Sequence, residues 1–558
     1  MAGPQFDVTV IGSGAGGGSV AWALATRGVK VLVLEAGPAY DYLKDYRLHQ
    51  EDWEQYAFPL KAGEHSSYSF APLQALDPAR DDLRSWSHIT GRSNTGNTRA
   101  TGRYLHVSGV GGSTLHFTGE AHRLHPQAMH MRSRFGVAAD WPFDYAELEP
   151  WYQQAERLIG VAGPGQEAVR WRSQAYPLPA HPFSYASQKM AEGCRQLGLN
   201  LVPNPLGILS QAYDGRPPCN YCANCGRGCP RGDKASVDVT FIRKALQTRR
   251  CTLRPLSRVI RIETGERDRV GSVIYLDARG RRQRATSRAV VVACGAVHTP
   301  RLLLASAGRH APQGLANESG QVGRHFMETT AWVSSALHPE PLGSHRGVPA
   351  DAICWDFNAP DAVSGLAGGC RFTIGAAQAG FTGPVSYATR VVKGWGRAHQ
   401  KQMRASFGRV MTVLGMGESL PNEQSFIDLD PLRKDSTGMP LARIHSHVDE
   451  MDVRRLAFMA DTARRMLAAS GAGPVFEEYG TYDTFTATHV FGTCRMGRDP
   501  AHSVVDASGR SHRWRNLYIA DASVFPSSGG GEAPSLTIEA LGIRTASLLH
   551  AALKRGDI

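Results

Sequence analysis

The sequence predicts a mixed α/β protein: a Rossmann-like dinucleotide-binding domain joined to a second lobe. Three observations predict it. Residues Phe6 to Ile11 read as a buried strand that runs straight into Gly12-Ser13-Gly14-Ala15-Gly16-Gly17. A helical stretch, Gly18 to Arg27, stops at Gly28 and gives way to a second strand, Val29 to Leu34, ending on Glu35. The full 558 residues far exceed one such unit, so the chain can bury two or more lobes.

Each part of the opening unit has a physical reason. Gly12 makes the tight turn, Gly14 lets the backbone approach a pyrophosphate, and Gly17 lets helix and strand pack closely. The helix N-terminus offers free N–H donors and the positive end of its dipole to phosphate. Glu35, about twenty residues after Gly12, suits a ribose that carries both hydroxyls and no 2′-phosphate. In this strand–turn–helix–strand setting the motif is specific for a dinucleotide, but it does not separate FAD from NAD. A second glycine-rich turn, Gly111-Gly112-Ser113, precedes His116, and small residues there let backbone approach a flat ring. An apolar strand, Ala289 to Ala293, leads through Cys294-Gly295-Ala296 into a helix start at Pro300.

Composition narrows the class. The net charge of +12 is scattered through runs such as Arg279 to Arg284, and no nucleic-acid module is present. The basic surface fits solvation, with one face available to an acidic partner. No apolar run of about 18 residues exists, so no transmembrane helix is expected. The N-terminus moves directly into a strand without a basic and apolar leader, so export is expected to depend on a partner.

Four of the ten cysteines fall at Cys219, Cys222, Cys225 and Cys229, in the order C-x2-C-x2-C-x3-C-P. This spacing wraps an iron–sulfur cluster in ferredoxin loops, with three or four thiolates as ligands. Zinc on four thiolates and a disulfide pair are the other readings. Residues 331–480 are less legible. They hold strand-like runs at Val391-Val392 and Val410 to Leu414, and an amphipathic helix over Val448 to Ala468.

The dinucleotide motif with Glu35-Ala36-Gly37, the Gly111-Gly112-Ser113 turn, the Gly295 to Pro300 motif and the C-terminal stretch from Thr488 to Leu541 together resemble the glucose-methanol-choline (GMC) flavoprotein oxidoreductases. The resemblance spans nearly the whole chain. Asp140-Trp141-Pro142, Leu148 to Tyr152 and Tyr213 to Pro217 are similar to the catalytic subunits of bacterial FAD-dependent glucose, gluconate and fructose dehydrogenases. The resemblance implies an FAD-binding domain from residues 1–150, 231–330 and 481–558, a connecting segment with the cysteine loop at 151–230, and a substrate-binding lobe on an antiparallel sheet at 331–480. It implies that Gly12, Gly14, Gly17 and Glu35 hold the ADP half of FAD. Gly111, Gly112 and Ser113 would lie near the flavin, Val259 near the adenine side, Asp521 and Ala522 over the pyrophosphate, and Thr537 beneath the ring. His116 matches a position where some relatives attach flavin covalently and others do not.

By the same resemblance Cys219, Cys225 and Cys229 carry a three-iron (3Fe-4S) cluster. Cys222 is then spare or completes a four-iron (4Fe-4S) one. His489 matches the catalytic base, a role that a neutral imidazole suits. Implied partners are a sugar or polyol alcohol, a small subunit bearing an export signal and a cytochrome c-type subunit, placing the complex on the periplasmic side of the bacterial inner membrane, or in the cytoplasm if no partner exists. The sequence departs from the family at Ala533, where a side-chain hydrogen-bonding Asn or His is usual. His489 then works alone, or Glu532 or another side chain enters the site. An alcohol or sterol oxidase or dehydrogenase of the same family without a cluster, and a non-catalytic electron-transfer subunit, remain the alternatives.

Overall fold

In the computed structural model, which describes residues 5–46, 67–165 and 170–558, Phe6–Ile11 is the central strand of a five-stranded parallel sheet. Across the sheet the order is Leu517–Ile519, Ser287–Val292, Phe6–Ile11, Val31–Leu34 and Cys251–Arg254. Parallel neighbours need long crossovers, which is why strands from both ends of the chain meet here. Val31–Leu34 is buried on both faces, as a strand between covering helices must be.

The first helix runs over Ala15–Ala25 and so starts at Ala15 rather than Gly18. Three successive glycines are poor helix formers, and packing outweighs their propensity. The helix lies against the C-terminal helix Ser535–Arg555 so closely that a Cβ on Gly542 would stand 2.0 Å from Ser19 Oγ.

The second lobe is a seven-stranded antiparallel sheet. Its order is Trp86–Ser87, Val475–Gly480, Thr330–Leu337, Val410–Gly417, Cys370–Ile374, Ala352–Cys354 and Leu201–Pro203. Its two edge strands are therefore drawn from outside 331–480. Helix Glu450–Ala469 covers the sheet, started by Asp449, whose side chain accepts from Asp452 N. Its buried positions, Val453, Leu456, Met459, Ala460, Ala463 and Leu467, follow the helical spacing of an apolar stripe. Val391 and Val392 are not a strand. They follow helix Pro384–Arg390 and pack on Tyr387, Val410 and Phe476. Two β-branched residues carry no period by which a strand could be told from a buried turn.

Candidate active site

A cavity of about 1220 Å³ is walled by residues of both sheets, larger than the roughly 300–1,000 Å³ usual for a small-molecule pocket. One part of its wall is the glycine cradle. Gly12 has φ +95°, and a Cβ there would fall 2.4 Å from Ala293 O. At Gly17 a Cβ would fall 2.0 Å from Gly12 O, so this residue serves helix–strand packing and does not line the cavity. Gly14 differs: a Cβ there would meet nothing nearer than Gly112 Cα at 3.7 Å. Its backbone is thus uncovered on the cavity side. The two glycine turns touch, since a Cβ on Gly112 would lie 2.8 Å from Gly14 Cα. Gly16, to which the sequence assigned no role, is the tightest of the series, with Ala520 O only 1.7 Å from a Cβ.

Ser13 ties the cradle together. Its N–H and hydroxyl donate to Glu35 Oε2 at 3.0 and 2.6 Å, and Gly37 N donates to Oε1 at 2.9 Å. Burial pushes the Glu35 carboxyl up, and these donors pull it back. Gly111, at φ +106°, donates from its N–H to Ser13 Oγ at 3.3 Å. Asp521 Oδ2 accepts from Gly295 N at 2.9 Å and Thr299 Oγ1 at 2.6 Å, while Oδ1 accepts from Ser523 N, starting the short helix Ala522–Val524. Ser113, His116, Val259, Asp521 and Ala522 all line the cavity. Thr537 does not: it is fully buried with its hydroxyl 2.8 Å from Tyr152 OH, and Ser535 and Ile538 reach the cavity from the same helix start. An uncovered glycine at a helix N-terminus, an oriented carboxylate and a second glycine turn fit FAD.

In the same cavity lie His489, Ala533, Glu120 and Arg371. His489 precedes the strand Val490–Phe491, and its carbonyl accepts from Thr329 N at 3.0 Å. Its Nδ1 is buried with no hydrogen-bond partner among the described residues. Burial lowers its pKa to about 4, with Glu120 pulling it up and Arg371 pushing it down. The imidazole is therefore neutral at ordinary pH.

Ala533 is buried, and its N–H donates to His122 Nδ1 at 3.0 Å. With Nδ1 accepting, the His122 proton sits on Nε2, which donates to Asn204 Oδ1 at 2.8 Å. Asn204 Nδ2 donates to Glu120 Oε1 at 3.0 Å, and Arg371 Nη2 donates to Glu120 Oε2 at 2.8 Å. Arg371 Nε closes the ring on Gly531 O at 2.9 Å. Burial alone would raise the Glu120 carboxyl, but Arg371 and the neighbouring histidines outweigh it and bring the pKa to about 2. Glu532 turns away: its Oε1 accepts from His125 N at 3.1 Å, and it does not line the cavity. None of this network was visible as a motif. The signal that could have found it is a charged residue inside the apolar strand Cys-Arg-Phe-Thr-Ile at 370–374, which demands a buried counter-ion.

The cysteine loop lies against this cavity. Gly226 and Arg227 line it, and Gly226 O is 2.7 Å from His116 Nδ1. All four thiols are free, with Cys225 and Cys229 buried. Tyr221 and Ala223 adopt φ of +60° and +59°, so the loop is held in a left-handed shape that side chains disfavour. Burial raises every one of the four, Cys219 to about 12 and Cys229 to about 11. Cys229 Sγ donates to Asp233 at 3.1 Å. Beneath the loop Lys234, fully buried, donates to Leu115 O, Phe117 O and Cys225 O at 2.9, 3.0 and 2.7 Å. Among the described residues no three Cys, His, Asp or Glu side chains converge on one point that a metal ion could occupy. A single zinc ion therefore does not fit. The loop likewise presents no assembled cluster site among the described residues.

Cradle and histidine in one cavity define a dinucleotide-dependent oxidoreductase. GMC oxidoreductase models match residues 89–330 and 421–542, and an NAD(P)-binding Rossmann-like domain model matches 10–40. The chain belongs to the GMC oxidoreductase family. It is 30% identical to 2-methyl-1,2-propanediol dehydrogenase of Mycolicibacterium austroafricanum, over 97% of this chain and 94% of that protein. To the fructose dehydrogenase large subunit of Gluconobacter japonicus it is 28% identical over 99% and 98%. To paromamine 6'-oxidase of Streptomyces fradiae it is 31% identical over 97% and 90%. The fold matches pyridoxine 4-oxidase from Mesorbium loti with TM-score 0.63 at 17% identity, over 98% of this chain and 99% of that one.

Proposed function

We propose that the protein is an FAD-dependent dehydrogenase that oxidises a hydroxyl-bearing carbon of a sugar or polyol to a carbonyl, with His489 removing the hydroxyl proton. Held by Gly12, Gly14, Glu35, Gly112, Ser113, Val259, Asp521 and Ala522, FAD would supply the acceptor for the hydride that leaves the same carbon; Gly111 braces the turn without lining the cavity. The observation that carries this reading is the neutral imidazole of His489 on the wall of the cavity that also holds the dinucleotide cradle. Ala533 cannot help orient the hydroxyl. Arg371 uses three of its five N–H groups within the protein, and with Glu120 it forms the polar surface beside His489. This pair replaces the absent side chain at 533. The relatives named for a diol, fructose and paromamine favour a polyhydroxylated substrate.

In this reading Cys219, Cys225 and Cys229 would hold an iron–sulfur cluster, with Cys222 as spare or fourth ligand, and the cluster would supply a one-electron exit from the flavin. The contact of the loop with His116 and the buried ammonium of Lys234, which offsets anionic thiolates, support it. The acceptor is a cytochrome-type partner subunit, and the complex works on the periplasmic side of the membrane. Two measurements test the proposal. Anaerobic addition of a panel of sugars and polyols bleaches the flavin in the wild type and not in His489→Ala. Iron and sulfide per flavin, with EPR before and after dithionite, read the loop: about three irons with a signal when oxidised leave Cys222 spare, and about four, silent until reduced, recruit it. Absence of iron with consumption of oxygen would establish the second reading, an oxidase, which the lack of convergent ligands favours.

A further inference from the structure

Residues 362–417 contain seven Arg or Lys and no Asp or Glu. Three of the seven turn inward: Arg371 pairs with Glu120, Arg390 with Glu477, and Arg409 donates to Pro339 O. The side chains of the other four, Lys393, Arg397, Lys401 and Arg404, make no ion pair or hydrogen bond among the described residues, and all four are exposed. Helix Gly396–Ser406 spaces Arg397, Lys401 and Arg404 four and then three residues apart, which sets them in one stripe. The opposite stripe, His399, Met403 and Ser406, is less exposed, and Met403 packs with Phe407 on Tyr387 and Val410. The helix is thus fixed to the protein by one side and presents Arg397, Lys401 and Arg404 on the other, with no acidic residue among them.

Solvation explains a cationic stripe. It does not explain Trp395, which immediately precedes the helix and is 90% exposed. An indole held in water beside four unpaired cations matches the chemistry of a bilayer interface, where the ring enters the headgroup layer and Lys or Arg pair with anionic lipid. Single-stranded nucleic acid would call for several stacking aromatics. We propose that this face docks the protein on an anionic lipid bilayer, with Trp395 in the headgroup layer and Lys393, Arg397, Lys401 and Arg404 against lipid phosphates. Docking is peripheral, since no described helix is long and apolar enough to cross a membrane. The same segment walls the cavity through Gln378, Phe381 and Arg390, so the bilayer comes to lie behind one wall of the active-site cavity. The proposal does not rest on the substrate assigned above.

The test is co-sedimentation of the flavin-loaded protein with vesicles of phosphatidylcholine alone and of phosphatidylcholine with phosphatidylglycerol, at low and high salt. Binding is expected only with phosphatidylglycerol, and salt weakens it as surface charges are screened. The variant carrying Lys393→Glu, Arg397→Glu, Lys401→Glu and Arg404→Glu loses it, Trp395→Ser weakens it about tenfold, and both keep wild-type flavin content and turnover of a soluble substrate. Wild-type protein that stays in the supernatant with anionic vesicles would overturn the proposal, as would a fourfold variant that sediments unchanged. If the fourfold variant instead loses electron transfer to an acidic acceptor protein while the wild type ignores vesicles, the face belongs to that protein and the lipid assignment fails.

Discussion

The two ends of the cavity are built on opposite principles. At the dinucleotide end, recognition is done by backbone: glycines at 12, 14 and 112 bring main chain to main chain, and Ser13, Glu35 and Asp521 only brace the turns. At the substrate end, side chains from four separate stretches do the work. Glu120, His122, Asn204 and Arg371 form one buried polar ring closed by the backbone of the turn at 531–533, and His489 stands beside it. The first arrangement is intolerant of a methyl group. The second tolerates shape changes better but depends on charges held out of water, where an unpaired partner is costly. Retention of flavin and catalysis should therefore fail separately.

The largest expected effect is that of His489→Ala, which lowers kcat by about 10²- to 10⁴-fold while flavin per chain stays at the wild-type level. Loss of flavin in this variant would erase the distinction between the ends. Glu120→Gln comes next. It strips the counter-ion from Arg371 and lowers kcat/KM by about 10²-fold, again with flavin retained; unchanged kinetics would remove the pair from the active site.

The cradle is split by two glycines. Gly16→Ala drives a methyl into Ala520 O and costs about 3 kcal/mol of stability, read as a lower Tm. Gly14→Ala keeps Tm and loses flavin, because its methyl meets no protein atom closer than 3.7 Å but fills the space left for phosphate. Equal Tm losses in the two variants would refute that assignment.

The pH profile sharpens the comparison further. With His489 depressed to about 4, the base is neutral above that value, so kcat/KM is flat through neutrality and falls only as pH drops toward 4. Glu120 raises the His489 pKa, so Glu120→Gln moves this acid limb to lower pH. The smallest effect belongs to a residue outside both ends. Burial raises the fully buried Glu418 to about 8, and Glu532 adds to the rise. A carboxyl whose folded pKa exceeds its unfolded value of about 4.3 destabilises the protein progressively from that pH up to about 8. Glu418→Gln should then raise Tm at pH 8.5 more than at pH 5, and an equal shift at both values would show that the carboxyl does not titrate in that range.

Much of this could be read from the chain. The strand from Phe6, the glycine turn and the strand ending at Glu35 are one contiguous unit, and their roles follow from spacing. Helix 450–469 was visible because twenty residues carry its apolar stripe. Boundaries moved where packing overrode propensity, as at Ala15, and Val391-Val392 was misread because two residues hold no period. Thr537 matched a family position, yet its hydroxyl faces Tyr152. The ring around Glu120 was illegible for a different reason. Its members are separated by up to about four hundred residues, as in the bond between Ala533 and His122, and no local pattern links them.

The sequence by itself determined the strand–glycine turn–helix–strand unit and the spacing of the four cysteines, because each is set by residues adjacent in the chain, while His489 was singled out by the family resemblance. Only the tertiary structure decided what stands in for the missing side chain at 533, and that the cysteine loop leans on His116. It alone also decided that Lys393, Trp395, Arg397, Lys401 and Arg404 are all exposed. Those facts depend on which distant segments meet, and burial then fixes their charge states by removing water and leaving each group only the partners the fold provides.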